Sequence, residues 1–324
     1  MAVSGGPDSL ALVLLANAAM PGQVDAATVD HGLRTESRAE AEFVGEVCAQ
    51  IGVPHAILSV ELAAGNTQAM ARAARYEALG LHFTQMGVAT FATAHHADDQ
   101  AETLLMRLNR GSGLSGLAGV RPSSIFFPAG VVAEMLLIRP LLGWRREELA
   151  SIVAEAGIEP VKDPSNTDDA YERARIRKAI ADLDWLDPSA MARSARYLAE
   201  AEVAVEHIVQ QTARSCCIWR DGGCAFTWGH PRLIEIGVVE LILEGLGASD
   251  LRKSDIARMI DRLRSGENAS LGGVLALNYA ETHPDRIAGL AVWNSNLDAG
   301  AMGRVGQAIL AAETMLIGSD IPSI

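Results

Sequence analysis

Apolar residues in the first 110 positions fall into short continuous runs separated by segments with helical spacing. Residues 24–30, 55–60 and 88–94 are read as strands, preceded by the stub of a strand at 2–4. Residues 8–19, 37–51, 67–86 and 98–110 are read as helices. The strand runs are uninterrupted rather than alternating, as expected when helices cover both faces of a sheet. A repeated strand–helix order of this kind predicts an α/β fold with a doubly wound parallel sheet. A glycine-rich loop follows at 111–119, then a fifth strand at 136–138 and a helix at 145–156. From about residue 167 the pattern turns mostly helical, with helices expected at 168–181, 188–214 and 238–245. This places one domain at 1–184, a helical domain at 185–274 and a separate tail at 275–324.

Composition narrows the class. Of 324 residues, 49% are hydrophobic, enough for a sizeable core and too many for a chain that is mainly disordered. With 27 basic and 40 acidic side chains the net charge is −13, which excludes a broadly basic nucleic-acid coat but leaves room for a local basic patch. Lysine occurs only at Lys162, Lys178 and Lys253, so arginine supplies nearly all the positive charge. Cys48, Cys216, Cys217 and Cys224 form no CxxC pair and no disulfide framework, which points to a reducing, cytoplasmic setting and away from a zinc ribbon or iron–sulfur site. The apolar run at 10–19 could pass for a signal peptide, but it lacks a positive flank and follows Asp8. No run is long enough to span a bilayer, so no membrane partner is expected. Nothing in the sequence calls for a haem, a flavin or a structural metal.

In a doubly wound sheet the ligand lies beyond the carboxyl ends of the strands, and the polar clusters fall there. After the first stub comes Ser4-Gly5-Gly6-Pro7-Asp8-Ser9, where two glycines, two hydroxyls and a helix start form an anion nest. An ordinary capped glycine turn would look the same. No GxxxxGK[ST] is present, so the nest suits a pyrophosphate held with Mg²⁺ rather than a Walker A site. After the second strand comes Asp30-His31-Gly32-Leu33-Arg34. After the fourth come His95, His96, Asp98, Asp99 and Glu102, with Asp99 and Glu102 on one helical face. That cluster also fits a plain helix cap, or a metal hydrolase built on His31, His95, His96 and Asp98. Tyr171, Arg173, Arg175, Arg177 and Lys178 lie on a later helix that could grip phosphates and stack a base, or could simply be a solvated charged face.

Taken in order, these motifs resemble the bacterial tRNA(Ile)-lysidine synthase family, which has the Rossmann-like N-type ATP pyrophosphatase (PP-loop) fold. The residues that carry the resemblance are the two loops at 4–9 and 30–34, Ala71-Arg72-Ala73-Ala74-Arg75-Tyr76, Ala92 through Thr103, Arg110-Gly111-Ser112-Gly113, Asp163-Pro164-Ser165-Asn166 and Tyr171-x-Arg173-x-Arg175-Ile176-Arg177. It extends over roughly residues 1–275. The resemblance implies that ATP adenylates the C2 oxygen of the wobble cytidine in a tRNA(Ile) with a CAU anticodon, and that free L-lysine then displaces AMP. It implies that Ser4, Gly5, Gly6, Pro7, Asp8, Ser9, Asp30, His31 and Arg34 hold ATP, with Mg²⁺ at the pyrophosphate. His95, Asp99 and Glu102 would line the reacting centre, where one carboxylate orients the lysine ammonium or takes its proton. Arg110, Gly111, Ser112, Gly113, Tyr171, Arg173, Arg175 and Arg177 would hold tRNA. A second copy of the chain stays open as a partner.

The sequence departs from that family in three places. The chain starts at Met1, where the family has residues before Ala2-Val3-Ser4. Ala174 stands where the family has Asn. Beyond Ser270-Leu271-Gly272-Gly273 the tail resembles the helix and strand that follow an α/β-hydrolase nucleophile elbow, as if a foreign sequence were joined there. The first position of GxSxG is Asn268 and the other triad elements are missing, so no esterase activity is expected. Three alternatives remain open at this level: another PP-loop ATP pyrophosphatase such as a tRNA thiolase, a metal-dependent phosphoesterase, and an inactive RNA-binding remnant.

Overall fold

The computed structural model describes residues 1–32, 36–60, 68–131, 134–161, 172–220, 223–278 and 289–294. They form two compact units, Met1–Glu202 and Val203–Ile324. In the first, the elements run α1 (Pro7–Ala19), β1 (Ala26–Asp30), α2 (Ser37–Gln50), β2 (His55–Ser59), α3 (Gln68–Gln85), β3 (Thr90–Ala92), α4 (Ala97–Asn109), α5 (Leu114–Leu117), β4 (Ser123–Phe126), β5 (Met135–Ile138), α6 (Arg146–Glu155) and α7 (Glu172–Asp182). Helix α8 (Pro188–Cys216) contains the division between the units.

The Met1–Val3 stub joins the two halves of the sheet. Val3 N–H donates to the Ala27 carbonyl (3.0 Å), Ala27 N–H to the Met1 carbonyl (2.8 Å) and Ala2 N–H to the Ala92 carbonyl (3.0 Å). Strand β1 pairs in parallel with β2, and β3 with β5, while β4 is antiparallel to β5. The order is therefore β2–β1–stub–β3–β5–β4. The chain winds outward through β1 and β2, then returns to the other side of the stub at β3. This is the switch point at which such sheets open a crevice at their carboxyl edge. The loop at 4–9 and the turn at 93–96 both border it.

Each face has its own core. One packs Leu10 and Val13 of α1, Val44 and Val47 of α2, and Leu149 and Val153 of α6. The other packs Leu79 and Phe83 of α3 against Phe91, Met135 and Leu137. Burial on both faces explains why the strands read as continuous apolar runs. Helix α1 buries Leu10, Ala11, Leu12 and Val13 in succession. It has no polar face, so the signal-peptide look of that run reflects a helix clamped within the core.

The helices of the second unit are the end of α8, α9 (Arg232–Gly245) and α10 (Lys253–Arg264). It also holds an antiparallel sheet that the sequence pattern did not reveal: β6 (Cys217–Arg220), β7 (Gly223–Thr227), β8 (Ala269–Leu271), β9 (Val274–Asn278) and β10 (Gly289–Asn294), in the order β6–β7–β10–β9–β8. The hydrolase-like expectation of a helix soon after Ser270 is corrected over Val274–Asn278, and its remainder at 279–288 lies outside the described residues. Gly272 (φ 58°) and Gly273 (φ 77°) make a tight hairpin, and Val274 turns back beside Leu271 as a strand. Ser270 lies in β8 opposite Leu275, with no strand-to-helix elbow beneath it.

Gly80 lets α3 approach the edge of the sheet. A Cβ there would lie 2.6 Å from Phe126 Cε1 and 2.9 Å from Pro128 Cγ. Gly80→Ala is expected to destabilise the protein by about 1–3 kcal/mol through overpacking, read as a lower midpoint in urea melts with an unchanged slope.

Candidate active site

The loop at 4–9 is held rigidly from within. Gly5 sits at φ 80°, and a Cβ there would meet Val161 Cγ2 at 3.0 Å and Val44 Cγ2 at 3.3 Å. Val161 N–H donates to the Gly5 carbonyl (2.9 Å). Ser9 Oγ accepts from Ser4 N–H (3.0 Å) and donates to the Gly6 carbonyl (3.0 Å). Pro7 occupies the first helical turn, where its missing N–H costs nothing. The loop thus delivers the start of α1, with its unpaired backbone N–H groups and positive dipole end, to the crevice.

His96, to which the sequence analysis gave no catalytic role, is the hub of the opposite wall. It is 1% exposed and lies 3.4 Å from Asp8, 3.5 Å from Asp98 and 3.6 Å from Asp99. Burial alone would discharge it. Hydrogen-bonding contact with Asp8 and Asp98 and the charges of Asp99 and Asp8 outweigh that and raise its pKa to about 9. At 3.4–3.6 Å these are ion pairs with long hydrogen bonds, and His96 Nδ1 lacks a close partner. Asp98 is itself gripped by the Arg145 guanidinium (3.2–3.3 Å) and the Arg146 N–H (2.8 Å). Burial opposes its charge, but His96 and these donors hold it well below the usual carboxylate range. Asp8 Oδ1 is buried with no hydrogen-bond partner among the described residues. An orphaned carboxylate oxygen at a phosphate nest fits a divalent cation, which typically takes one or two protein carboxylates plus phosphate oxygens.

The predicted catalytic residues lie close together on and before α4, with distinct environments. His95 Nδ1 meets Thr93 Oγ1 (3.0 Å), and its Nε2 meets Arg72 Nη2 (3.1 Å). Burial, with Asp99 opposing and Arg72, Arg139 and Arg173 adding to it, lowers its pKa to about 4, so the ring is neutral. Since arginine only donates, Nε2 accepts and Nδ1 carries the proton. Asp99 Oδ2 accepts His96 N–H (3.1 Å), and its Oδ1 lies 3.4 Å from Arg173. Burial works against its charge, but His96, Arg173 and His95 keep it ionised. Glu102 is 1% exposed and bound by Arg173 Nε (2.7 Å) and Arg177 Nε (2.7 Å), with Arg146 at 3.6 Å.

Other predicted positions fall nearby or elsewhere. Asp30 accepts from Ser37 Oγ (2.5 Å) and Gly32 N–H (3.0 Å), which lower its pKa, and His31 Nε2 accepts from Arg75 Nε (3.2 Å). Arg110 pairs with Glu172, Gly111 takes φ 67°, and Gly113 caps α5 ahead of Leu114. Arg175 is exposed, on a different side of α7 from the Glu102-bound arginines. Arg34, Tyr171 and the 163–166 motif lie outside the described residues. The sequence pointed to His96 only within the polar cluster and as a possible metal ligand, and gave Thr93, Arg145 and Arg146 no individual role. The adjacent His95-His96 pair and the Arg145-Arg146 pair at a helix start were the available signals.

Residues 1–183 match the family model of the PP-loop domain. The chain is 47% identical over 282 residues to a tRNA(Ile)-lysidine synthase of Novosphingobium aromaticivorans, covering 85% of this chain and 84% of that one. It is 41% identical over 281 residues to the tRNA(Ile)-lysidine synthase of Zymomonas mobilis, covering 85% and 84%. Among solved structures it resembles the U34-tRNA thiolase NcsA from Methanococcus maripaludis, with a TM-score of 0.50 and 20% identity over 62% of this chain and 70% of that one, a likeness of fold. A lysine-free nest at the switch point of this sheet, within a chain matched in this way, defines a PP-loop protein. Within that class the chain belongs to the tRNA(Ile)-lysidine synthase family.

The His96 cluster gives a pH prediction with a definite sign. Its folded pKa lies above the ordinary 6.5, so the stability it contributes is complete below that value and is lost as pH rises through about 9. His96→Gln is expected to cost about 3 kcal/mol near neutrality, as when one partner of a buried charge cluster is removed. In metal-free buffer, the gap in melting temperature between wild type and variant should shrink from about pH 6 to about pH 10. A gap that stays constant over that range contradicts a charged His96.

Proposed function

We propose that this chain ligates free L-lysine to C2 of the wobble cytidine of tRNA(Ile) bearing a CAU anticodon, through an adenylated tRNA, releasing pyrophosphate and AMP. The observation that carries the reading is a phosphate nest without a lysine, facing a buried acid cluster across the switch-point crevice, in a chain 47% identical to a tRNA(Ile)-lysidine synthase over 85% of its length. The N–H groups at the start of α1 hold the β- and γ-phosphates, where their preorganised dipoles oppose the charge that builds on the leaving pyrophosphate. Asp8, with Oδ1 unpaired, would hold Mg²⁺ beside the phosphates that the nest binds, and the metal would supply charge neutralisation for the departing pyrophosphate.

The two carboxylates on α4 divide their work. Glu102 is committed to Arg173 and Arg177, so it fixes α7 against α4 and does not approach substrate. Asp99 is more exposed, at 15%, and is kept ionised. A carboxylate held ionised is a poor base but a good anchor for an ammonium, so Asp99 orients the incoming lysine. Neutral His95 lines the same wall without adding a charge that would repel that amine. The enzyme acts in the cytoplasm, where tRNA and free lysine are available. Relatives at 47% and 41% identity, both tRNA(Ile)-lysidine synthases, favour the ligase over a phosphoesterase built on these histidines.

AMP release that requires both lysine and tRNA(Ile) tests the assignment. Asp99→Asn should lower lysidine formation by about 100-fold while leaving formation of the adenylated tRNA intact, scored by labelled ATP and by nucleoside digestion. Equal loss of both steps would show that Asp99 acts on the nucleotide instead.

A further inference from the structure

Arginines that the sequence assigned to RNA are largely used inside the protein. Arg173 and Arg177 neutralise Glu102, and Arg110 pairs with Glu172. A chain with a net charge of −13 still has to attract a polyanion, which requires positive surface concentrated in one place. A second cleft, of about 550 Å³, supplies it. The cleft lies at the carboxyl end of β5, on the same rim of the sheet as the crevice. Arg139, Arg193 and Arg196 line it, and among the described residues no carboxylate does. Pro140, Leu142 and Ala192 give it apolar walls.

The chemistry of these groups selects the occupant. Arg193 and Arg196 are more than half exposed, with Asp187 and Glu200 at 3.7 Å as their closest acids. Exposed pairs of that length contribute little and give way readily to a phosphate. Arg139 donates to the Arg121 carbonyl (2.8 Å) and to Ser124 Oγ (3.2 Å), and its Nε is buried with no hydrogen-bond partner among the described residues. Gln100 is held in place, with both ends of its amide bonded to Val120 (2.7 Å each). Apolar walls suit the face of a base, and the size falls within the usual range for a small organic ligand. The Tyr197 ring, under the Arg196 guanidinium at 5.3 Å and 57% exposed, adds a stacking surface beside the cleft.

We propose that this cleft takes one unpaired nucleotide of the tRNA substrate, with its base against the Pro140–Leu142–Ala192 wall and its flanking phosphates on Arg193 and Arg196. The proposal rests on the tRNA ligase reading above and adds to it a subsite separate from the α7 arginines. Few polar groups stand among the apolar lining residues, so the subsite contributes affinity and register more than a strict choice of base.

Two variants test it in the full chain: Arg193→Ala/Arg196→Ala, which removes the exposed charges, and Ala192→Trp, which fills the cleft and keeps them. Filter binding of tRNA(Ile) is measured across a sodium chloride series, together with ATP affinity. The double variant should bind tRNA at least 10-fold more weakly at low salt. Its slope of log affinity against log salt should be shallower by roughly 1.5, the signature of two lost phosphate contacts. Ala192→Trp should weaken binding with the slope unchanged, and ATP affinity should be the same in all three proteins. Wild-type affinity and slope in the double variant overturn the proposal, and wild-type affinity in Ala192→Trp overturns the seating of a base. If the wild-type chain itself neither binds tRNA(Ile) nor forms lysidine, the ligase reading fails instead.

Discussion

An imidazole buried among three carboxylates is costly in either protonation state unless its partners are fixed in place, since desolvation penalises the charges and their mutual attraction has to offset it. In this chain the carboxylates come from two segments, and a third holds one of them in place. Asp8 lies at the start of α1, Asp98 and Asp99 at the start of α4, and Asp98 is tied onward to Arg145 and the α6 backbone. His96 therefore links the phosphate loop, the acid-bearing helix and the next helix along the rim. The geometry of the crevice depends on that one buried charge, because moving any of the three segments would leave carboxylates unpaired in a site largely closed to water.

The loop and the acid cluster face each other because of the sheet. A stub of three residues hydrogen-bonds to β1 on one side and to β3 on the other. The loop at 4–9 leaves its end, and the His95–Asp99 turn leaves the end of β3. Neighbouring strands lie about 4.8 Å apart, so segments far apart in sequence become neighbours at the switch point. Charge is arranged in layers from there. Carboxylates and His96 occupy the floor, Arg173 and Arg177 cover Glu102, and the arginines held only by long, exposed ion pairs lie at the cleft by β5.

Much of the first unit was legible in the sequence. Continuous apolar runs marked the strands of a sheet covered on both sides, and the polar clusters that followed them marked its carboxyl rim. Periodicity was informative wherever a helix had a polar face. Short edge strands were not legible: β4 is Ser-Ser-Ile-Phe, and the strands of the second unit are three to six residues long with small residues at their turns. Helix α10 could have been read, since Ile256, Met259, Ile260 and Leu263 form a clear apolar stripe. Within the site, residue types at fixed spacing identified the loop and the α4 carboxylates. The sequence could not show that Glu102 would be covered by arginines, or that His96 would be charged, because both depend on contacts between segments dozens of residues apart.

The central claim is that the nest at 4–9 holds the triphosphate, with Asp8 on the metal. A crystal structure with Mg²⁺ and a non-hydrolysable ATP analogue tests it most directly. The account predicts β- and γ-phosphate oxygens against the backbone N–H groups that follow Gly5, and the metal on Asp8 Oδ1 with His96 still at Oδ2. Nucleotide bound away from this loop, or a metal held without Asp8, would contradict it.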